Sequence, residues 1–307
     1  MALVLASGIR FIDVWYRGQP GVVGTGVIEL ADGVLLVDPG PGVTLPRLEA
    51  GLREAGVTMS DVRGILLTHI HLDHAGATGA IVRENPSVRV FVHERGAPHM
   101  IDPTRLLESA RRLYGDRMDE LWGPFLPVPA GQLTVLDGTE TLRFGARVIE
   151  VAYTPGHASH HVSYFEPDSR IAFVGDVGGA RLQGFDLVMA PTPPPDVHLE
   201  AWSASIARIL RWSPVTLVLT HYGPADHPEV HLRALEDALE RQSRRVRALL
   251  DEPGTDEERV ERFSRDIMRE IRQAASDREA ERFAVVVPAD HCYHGLARYW
   301  RKKLAAA

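Results

Sequence analysis

Between Gly64 and Ala77 the chain reads GILLTHIHLDHAGA, an apolar run followed by His69, His71, Asp73 and His74 within six positions. Four imidazole or carboxylate groups on one turn repel or compete for protons unless something holds them together. A divalent cation is the agent that satisfies nitrogen and oxygen donors at once. Histidine with carboxylate suits Zn(II) best, with Mn(II) and Fe(II) as alternatives. A single histidine is more often a core or surface residue than a ligand, but a cluster of this density points to metal. Such a turn constrains the whole chain, because the remaining ligands must be delivered to it from elsewhere.

Three later segments offer them. In YTPGHASHH a strand ends at Pro155-Gly156 and His157 sits on the turn; in IAFVGDVGG, Asp176 follows an apolar strand between glycines; in TLVLTHYGP, His221 follows another apolar strand and precedes a Gly-Pro break. Each has the order strand, ligand, loop. Ligands at strand ends on one edge of a sandwich can converge, whereas the helix-borne His231 does not fit the pattern.

The rest of the chain agrees with a layered fold. FIDVWY, GVVGTGVIEL, GVLLVD, GILLTH and VRVFVH read as strands in the first half, and LTVL, TLRF, RVIEVAY, HVSYF, IAFVG and TLVLT form a second strand-rich block between Leu133 and Thr220. TLPRLEAGLREA carries Thr44 as an N-cap, Leu45, Leu48 and Leu52 on one face, and Gly56 as a stop, which predicts a helix over 44–55. The expectation is an α+β fold with two sheets face to face and helices outside. Residues 101–132 place Leu106, Leu107, Ala110, Leu113 and Tyr114 at helical spacing and read as a helical insertion or lid, or as one more packed helix. From Pro228 the pattern is helical, with capping boxes at Thr255/Glu258 and Ser276/Glu279. The division expected is 1–225 as the catalytic domain and 226–307 as a C-terminal helical region.

Composition narrows the function. A formal charge of −7, with lysine only at 302 and 303, weighs against a protein that neutralises many phosphates, so no nucleic-acid partner is expected. No segment approaches the roughly 18 apolar residues of a membrane span, and MALVLASGIRFIDV reads poorly as a secretion signal. The single cysteine, Cys292, excludes an intrachain disulfide and fits a reducing cytoplasm, the expected location. A small-molecule substrate is the expected partner, and a homodimer is left open.

With His69-x-His71-x-Asp73-His74, then His157, Asp176 and His221 in order, the chain resembles the metallo-β-lactamase-fold hydrolase superfamily over roughly residues 8 to 225. The resemblance implies a four-layer αβ/βα sandwich with the C-terminal helices as an appendage. It also implies two divalent metal ions, Zn foremost. His69, His71 and His157 would hold the first, Asp73, His74 and His221 the second, and Asp176 would bridge them. Asp38, in LLVDPGPG, matches an aspartate that supports the site without binding metal. By the same resemblance a metal-bridging hydroxide attacks an ester, thioester, lactone or phosphoester of a small molecule, with Asp73 orienting it and taking its proton. Asp176 points away from a true β-lactamase and toward the glyoxalase-II-like and lactonase-like branch.

The departures matter. His160 stands where the H-x-x-G-H pattern of that branch has glycine, and it either lines the pocket or is merely exposed. The tyrosine that lactonases place after the bridging aspartate is replaced by Gly178 and Gly179, leaving Tyr222 as the candidate. Phe185, Leu187, Met189 and the proline run of 181–202 either wall an apolar pocket or stiffen a loop, and His291, Tyr293 and His294 either cover the mouth or pack on the sandwich. Two other readings stay open: a mononuclear-iron oxidoreductase like the persulfide dioxygenases, and a non-catalytic ligand-binding member of the fold.

Overall fold

The structure is a computed structural model that describes residues 2–181, 185 and 187–306. The first sheet is β1 (Leu3–Ala6), β2 (Ile9–Asp13), β3 (Gly24–Leu30), β4 (Gly33–Val37), β5 (Val62–Leu66), β6 (Arg89–His93) and β7 (Leu133–Leu136), paired in chain order. The second sheet takes β8 (Thr141–Phe144), β9 (Arg147–Tyr153), β10 (Val162–Glu166) and β11 (Ile171–Phe173). A short pair, β12 (Ala180–Arg181) and β13 (Val188–Met189), precedes its last two strands, β14 (Thr216–Leu219) and β15 (Gly223–Ala225), and the order across the sheet is β15-β14-β11-β10-β9-β8.

Alternation along each strand sorts side chains between layers. In β4, Val34 and Leu36 face the helices outside while Leu35 and Val37 face the opposite sheet. The inner layer is closed by Ile9, Phe11, Ile28 and Leu66 of the first sheet against Val151, Tyr164, Phe173 and Val218 of the second. Both faces of these strands are buried, which is why they read as continuous apolar runs.

On the outer face of the first sheet lie α1 (Leu45–Glu54), α2 (Leu72–Ala75) and α3 (Thr78–Glu84). Next come α4 (Ala97–Ile101), α5 (Thr104–Tyr114) and α6 (Met118–Leu121). Trp202, Ile206 and Ile209 of α7 (Leu199–Arg211) cover the second sheet with Leu232, Leu235 and Leu239 of α8 (Pro228–Asp251). The chain is therefore an α+β four-layer sandwich followed by a helical region. The end of α8, with α9 (Asp256–Ala274), α10 (Asp277–Val286) and α11 (Ala289–Ala305), forms its own apolar cluster around Phe263, Phe283 and Tyr293. None of the described helices is long and apolar enough to cross a membrane.

Both expected capping boxes form, at Thr255/Glu258 and Ser276/Glu279. Thr44 does not cap α1: its hydroxyl donates to the Pro41 carbonyl at 2.8 Å, because a preceding helical turn leaves it in helical conformation. LTVL, read with the second block, pairs parallel to β6 and joins the first sheet as β7.

Strand direction positions the site. β4 and β5 are parallel, as are β11 and β14, and β9 runs the same way as β11 because both are antiparallel to β10. The carboxyl ends of β4, β5, β9, β11 and β14 lead into Asp38, His69, His157, Asp176 and His221 respectively.

Candidate metal centre

The turn after β5 and the short α2 bring His69, His71, Asp73 and His74 to this edge, and the other strand ends deliver their residues against them. Three groups of ligand atoms each gather within 4.8 Å: His69, His71 and His157; His69, His74 and Asp176; Asp73, His74 and His221. His71 Nδ1 lies 3.0 Å from His69 Nε2 and 2.9 Å from His157 Nε2. His221 Nε2 is 3.2 Å from Asp73 Oδ2. Asp176 touches both sets, with Oδ2 3.4 Å from His157 Nε2 and Oδ1 3.2 Å from His74 Nε2 and 3.6 Å from His221 Nε2. Tetrahedral ligands about 2.0–2.1 Å from a common Zn lie about 3.3–3.4 Å apart, so these spacings suit ions of that size.

The outer partners of the rings decide which nitrogen is free. His157 Nδ1 faces the Pro191 carbonyl at 2.8 Å and His221 Nδ1 the Val22 carbonyl at 2.9 Å. A carbonyl only accepts, so both Nδ1 atoms donate and both Nε2 atoms present lone pairs inward. His74 Nδ1 donates to Asp38 Oδ2 at 2.8 Å, which leaves its Nε2 lone pair toward Asp176. Thr68 Oγ1 donates to Asp38 Oδ2 at 2.7 Å and so accepts from His69 Nδ1 at 3.1 Å. Lone pairs and carboxylate oxygens thus converge on shared points. His74 Nε2 and Asp176 Oδ1 are buried without a hydrogen-bond partner among the described residues, the arrangement a cation completes.

Electrostatics differ between the two groups. Burial, helped by neighbouring imidazoles, pushes His69 far below its ordinary value and His71 down to about 4, and burial also lowers His157. These rings are therefore neutral ligands at pH 7. For His74 and His221 burial pulls the other way, but Asp176 first and Asp73 with it outweigh burial, and both are raised. Asp73 is held near 2: burial opposes ionisation and the charges of His74 and His221 overcome it. The second group demands positive charge, as protons or as a cation.

Asp38, 1% exposed, ties the two groups to the sheet edge. It accepts from Thr68 N at 2.8 Å on Oδ1, and from Thr68 Oγ1, Thr220 Oγ1 at 2.9 Å and His74 Nδ1 on Oδ2. Thr68 and Thr220 each precede a ligand in the repeated string Leu-Thr-His, a sequence signal that the motif reading passed over. Gly175, at φ 45°, lets the chain into Asp176, since a Cβ there would meet Thr68 Oγ1 at 2.5 Å and His161 Nε2 at 2.8 Å.

The model of the metallo-beta-lactamase superfamily matches residues 18–222, two thirds of the chain and all of the residues just described. This chain belongs to the metallo-β-lactamase superfamily. It is 28% identical over 162 residues to a metallo-beta-lactamase fold-containing protein of Sulfurisphaera tokodaii, covering 52% of this chain and 60% of that one. It is 25% identical over 253 residues to a probable metallo-hydrolase of Bacillus subtilis, covering 76% and 78%. With a hydroxyacylglutathione hydrolase of Methylobacterium it shares 32% over 148 residues, 47% of this chain and 46% of that one. The matches thus span less than two thirds of the archaeal and Methylobacterium proteins. A metallo-beta-lactamase family structure from Thermus thermophilus superposes with a TM-score of 0.73 over 98% of this chain and 96% of that one, at 22% identity, a likeness of fold.

In this superfamily member a cavity of about 360 Å³ opens onto His71, Asp73, His157 and Asp176. Its walls come from α5 (Leu106, Ala110, Leu113, Tyr114), from the prolines 191 and 193–195, and from the C-terminal region (Val286, Val287, His291). Residues 101–132 and the tail therefore both reach the site. His160 lines the cavity, its ring parallel to that of His69 at 6.0 Å. Two expectations are corrected. Phe185 packs with Leu187 and Met189 against the C-terminal apolar cluster instead of walling the cavity; residues 182–184 and 186 of that segment lie outside the described residues. Tyr222 turns away: its hydroxyl donates to Asp13 at 3.1 Å and its ring meets Phe11 edge-on at 5.4 Å, in the inter-sheet core. Of His291, Tyr293 and His294, His291 lines the cavity while Tyr293 is buried among the C-terminal helices.

Proposed function

We propose that the chain is a dinuclear metal-dependent hydrolase of a small ester-type substrate: an ester, thioester, lactone or phosphoester. The observation that carries this reading is the convergence of seven ligand-type side chains, four of which (His69, His74, His157 and His221) have their inward lone pair fixed by Thr68, Asp38, Pro191 and Val22. His69, His71 and His157 would hold one ion, Asp73, His74 and His221 the other, and Asp176, in reach of both groups, would join them. When bound, divalent ions supply Lewis acidity and bring the pKa of a bound water from 15.7 to about 7.

The remaining work falls to this chain's residues. Asp73 stays ionised, reaches His221 with one oxygen and borders the cavity, where it orients the attacking water and takes its proton. The apolar wall of Leu106, Leu113, Val286 and Val287 seats the acyl portion and excludes bulk water. His160, kept neutral chiefly by burial, borders the same cavity as a hydrogen-bonding group for substrate oxygen. The second ligand group supports this reading over one with a single iron, which needs no Asp73–His74–His221 set.

The test is chelation, reloading with Zn, Mn or Fe, and a panel of esters, thioesters, lactones and phosphodiesters. Hydrolysis should require metal and fall at least about 100-fold in Asp176→Asn. Equal rates in wild type and Asp176→Asn across the panel count against the reading. Oxygen uptake with glutathione persulfide by an iron-only form would support the dioxygenase instead.

A further inference from the structure

We propose that the substrate's leaving arm carries an anion, a phosphate or a carboxylate, which docks in a cationic groove adjoining the cavity. This rests on the hydrolase reading above. A second hollow of about 520 Å³ shares Arg95, Ser159, Pro195 and Asp196 with the first, so the two adjoin next to the metal-centre residues. Its far side is formed by Tyr153, Tyr299, Lys302 and Lys303. These are the chain's only lysines, and both stand in this one groove.

The charges have been assigned unequally. Lys303 is committed: its Nζ pairs with Glu200 and meets the Tyr299 hydroxyl at 2.8 Å, and that hydroxyl itself donates to Glu200 at 2.9 Å. Lys302 has no ion pair or hydrogen bond among the described residues. Nor does the Arg95 guanidinium, which lies 5.9 Å from the Tyr153 ring centre. Arg298, one helical turn before Lys302, donates to the carbonyl of Pro195, one of the residues both hollows share. The opposing carboxylate is Asp196, which accepts from Ser159 N at 3.3 Å and from its hydroxyl. Among the residues lining the groove, counting Glu200 against Lys303 and Asp196 against Arg95 leaves Lys302 uncompensated, with Arg298 one helical turn away, on a protein whose net charge is −7. A local reversal of sign beside a reaction cavity attracts and orients an anion.

The two hollows divide a substrate accordingly: apolar acyl group in the first, scissile bond at the metal-centre residues, charged arm in the second. In the cleavage the oxygen of water forms a new bond to the acyl carbon. The C–S or C–O bond to the arm breaks, and the arm leaves with one proton of that water as a free thiol or alcohol.

The test compares butyryl thioesters of three carriers on metal-loaded protein: N-acetylcysteamine, which is neutral; glutathione, which carries carboxylates; and coenzyme A, which carries phosphates. An anionic carrier should show a KM about 10-fold below the neutral one, and the carrier that does so identifies the anion. The preference should shrink between 20 and 300 mM salt, as rim charges are screened (these concentrations span Debye lengths of roughly 20 to 6 Å). Arg95→Ala/Lys302→Ala should raise the KM for that carrier about 3- to 10-fold at unchanged kcat, while Arg208→Ala, on an exposed face of α7, should not. Equal KM for all three carriers, or a double variant with the wild-type carrier ratio, overturns the inference. If no thioester is cleaved, the hydrolase reading stands or falls by itself on the ester, lactone and phosphodiester panel. Calorimetric binding of free coenzyme A and glutathione then decides this one: binding lost in the double variant supports it, and no binding or equal binding refutes it.

Discussion

Replacing Asp38 by asparagine changes no volume and no ligand, yet it should disable half of the metal centre. The carboxylate accepts four hydrogen bonds, one on Oδ1 from the backbone of Thr68 and three on Oδ2. An amide offers one oxygen. If its nitrogen takes the Oδ1 place, the Thr68 N–H is buried without an acceptor, at a cost of about 1–3 kcal/mol to folding. If it takes the Oδ2 place, the two threonine hydroxyls can turn and accept, but His74 Nδ1–H confronts another N–H. The ring then shifts its proton to Nε2 and loses the lone pair it offers inward. Loss of such an outer partner typically lowers metal affinity 10- to 100-fold, about 1.4–2.7 kcal/mol. The assay is competition with a chromophoric chelator, together with thermal melts of the metal-free protein. Weaker binding of the second ion only, or a lower Tm of the metal-free form, is expected. An Asp38→Asn protein with wild-type Tm and wild-type affinity for both ions would refute the reasoning.

Other outcomes follow from the same geometry. Gly175→Ala, forced to φ 45° with its Cβ inside contact of Thr68 and His161, should lower stability by roughly 2 kcal/mol or more and reduce metal content, read by calorimetry and elemental analysis. Metal affinity should split by pH. His74 and His221 are raised by the neighbouring carboxylates, so protons compete with an ion there at higher pH than at the first group, and affinity at their site should climb from pH 6 to 8. His69, His71 and His157 are lowered, His71 to about 4, so their site should change little over that range; equal slopes at both sites would count against the assignment. Chelation should lower Tm, because an ion held at 1,000 times its Kd contributes about 4 kcal/mol to the folded state. A chelated protein melting with the untreated one would argue that no ion is bound.

What was legible in the sequence was whatever depends on local order. An apolar run followed by histidine or aspartate marks a strand that brings that residue to its carboxyl end: four strands bring His69, His157, Asp176 and His221 to one edge, and a fifth brings Asp38 beside them. The capping boxes at Thr255 and Ser276 are likewise local. Thr44 misled because the turn before α1, not the residue type, set its conformation. Phe185 and Tyr222 misled because sequence proximity to Asp176 and His221 says nothing about which way a neighbour points: one packs on the C-terminal helices, the other on Phe11. The carbonyls of Val22 and Pro191, which fix two imidazoles across 199 and 34 residues, have no side-chain signature at all. Lys302 and Lys303 were visible as a compositional oddity, but only the fold sets them beside the cavity.

The most direct test of a dinuclear centre is anomalous diffraction from crystals of the metal-loaded protein at the Zn, Mn and Fe edges. The account predicts two peaks about 3.5–4 Å apart, one among His69, His71 and His157, the other among Asp73, His74 and His221, with Asp176 between them. A single peak confined to the first group, or none at either, would contradict it.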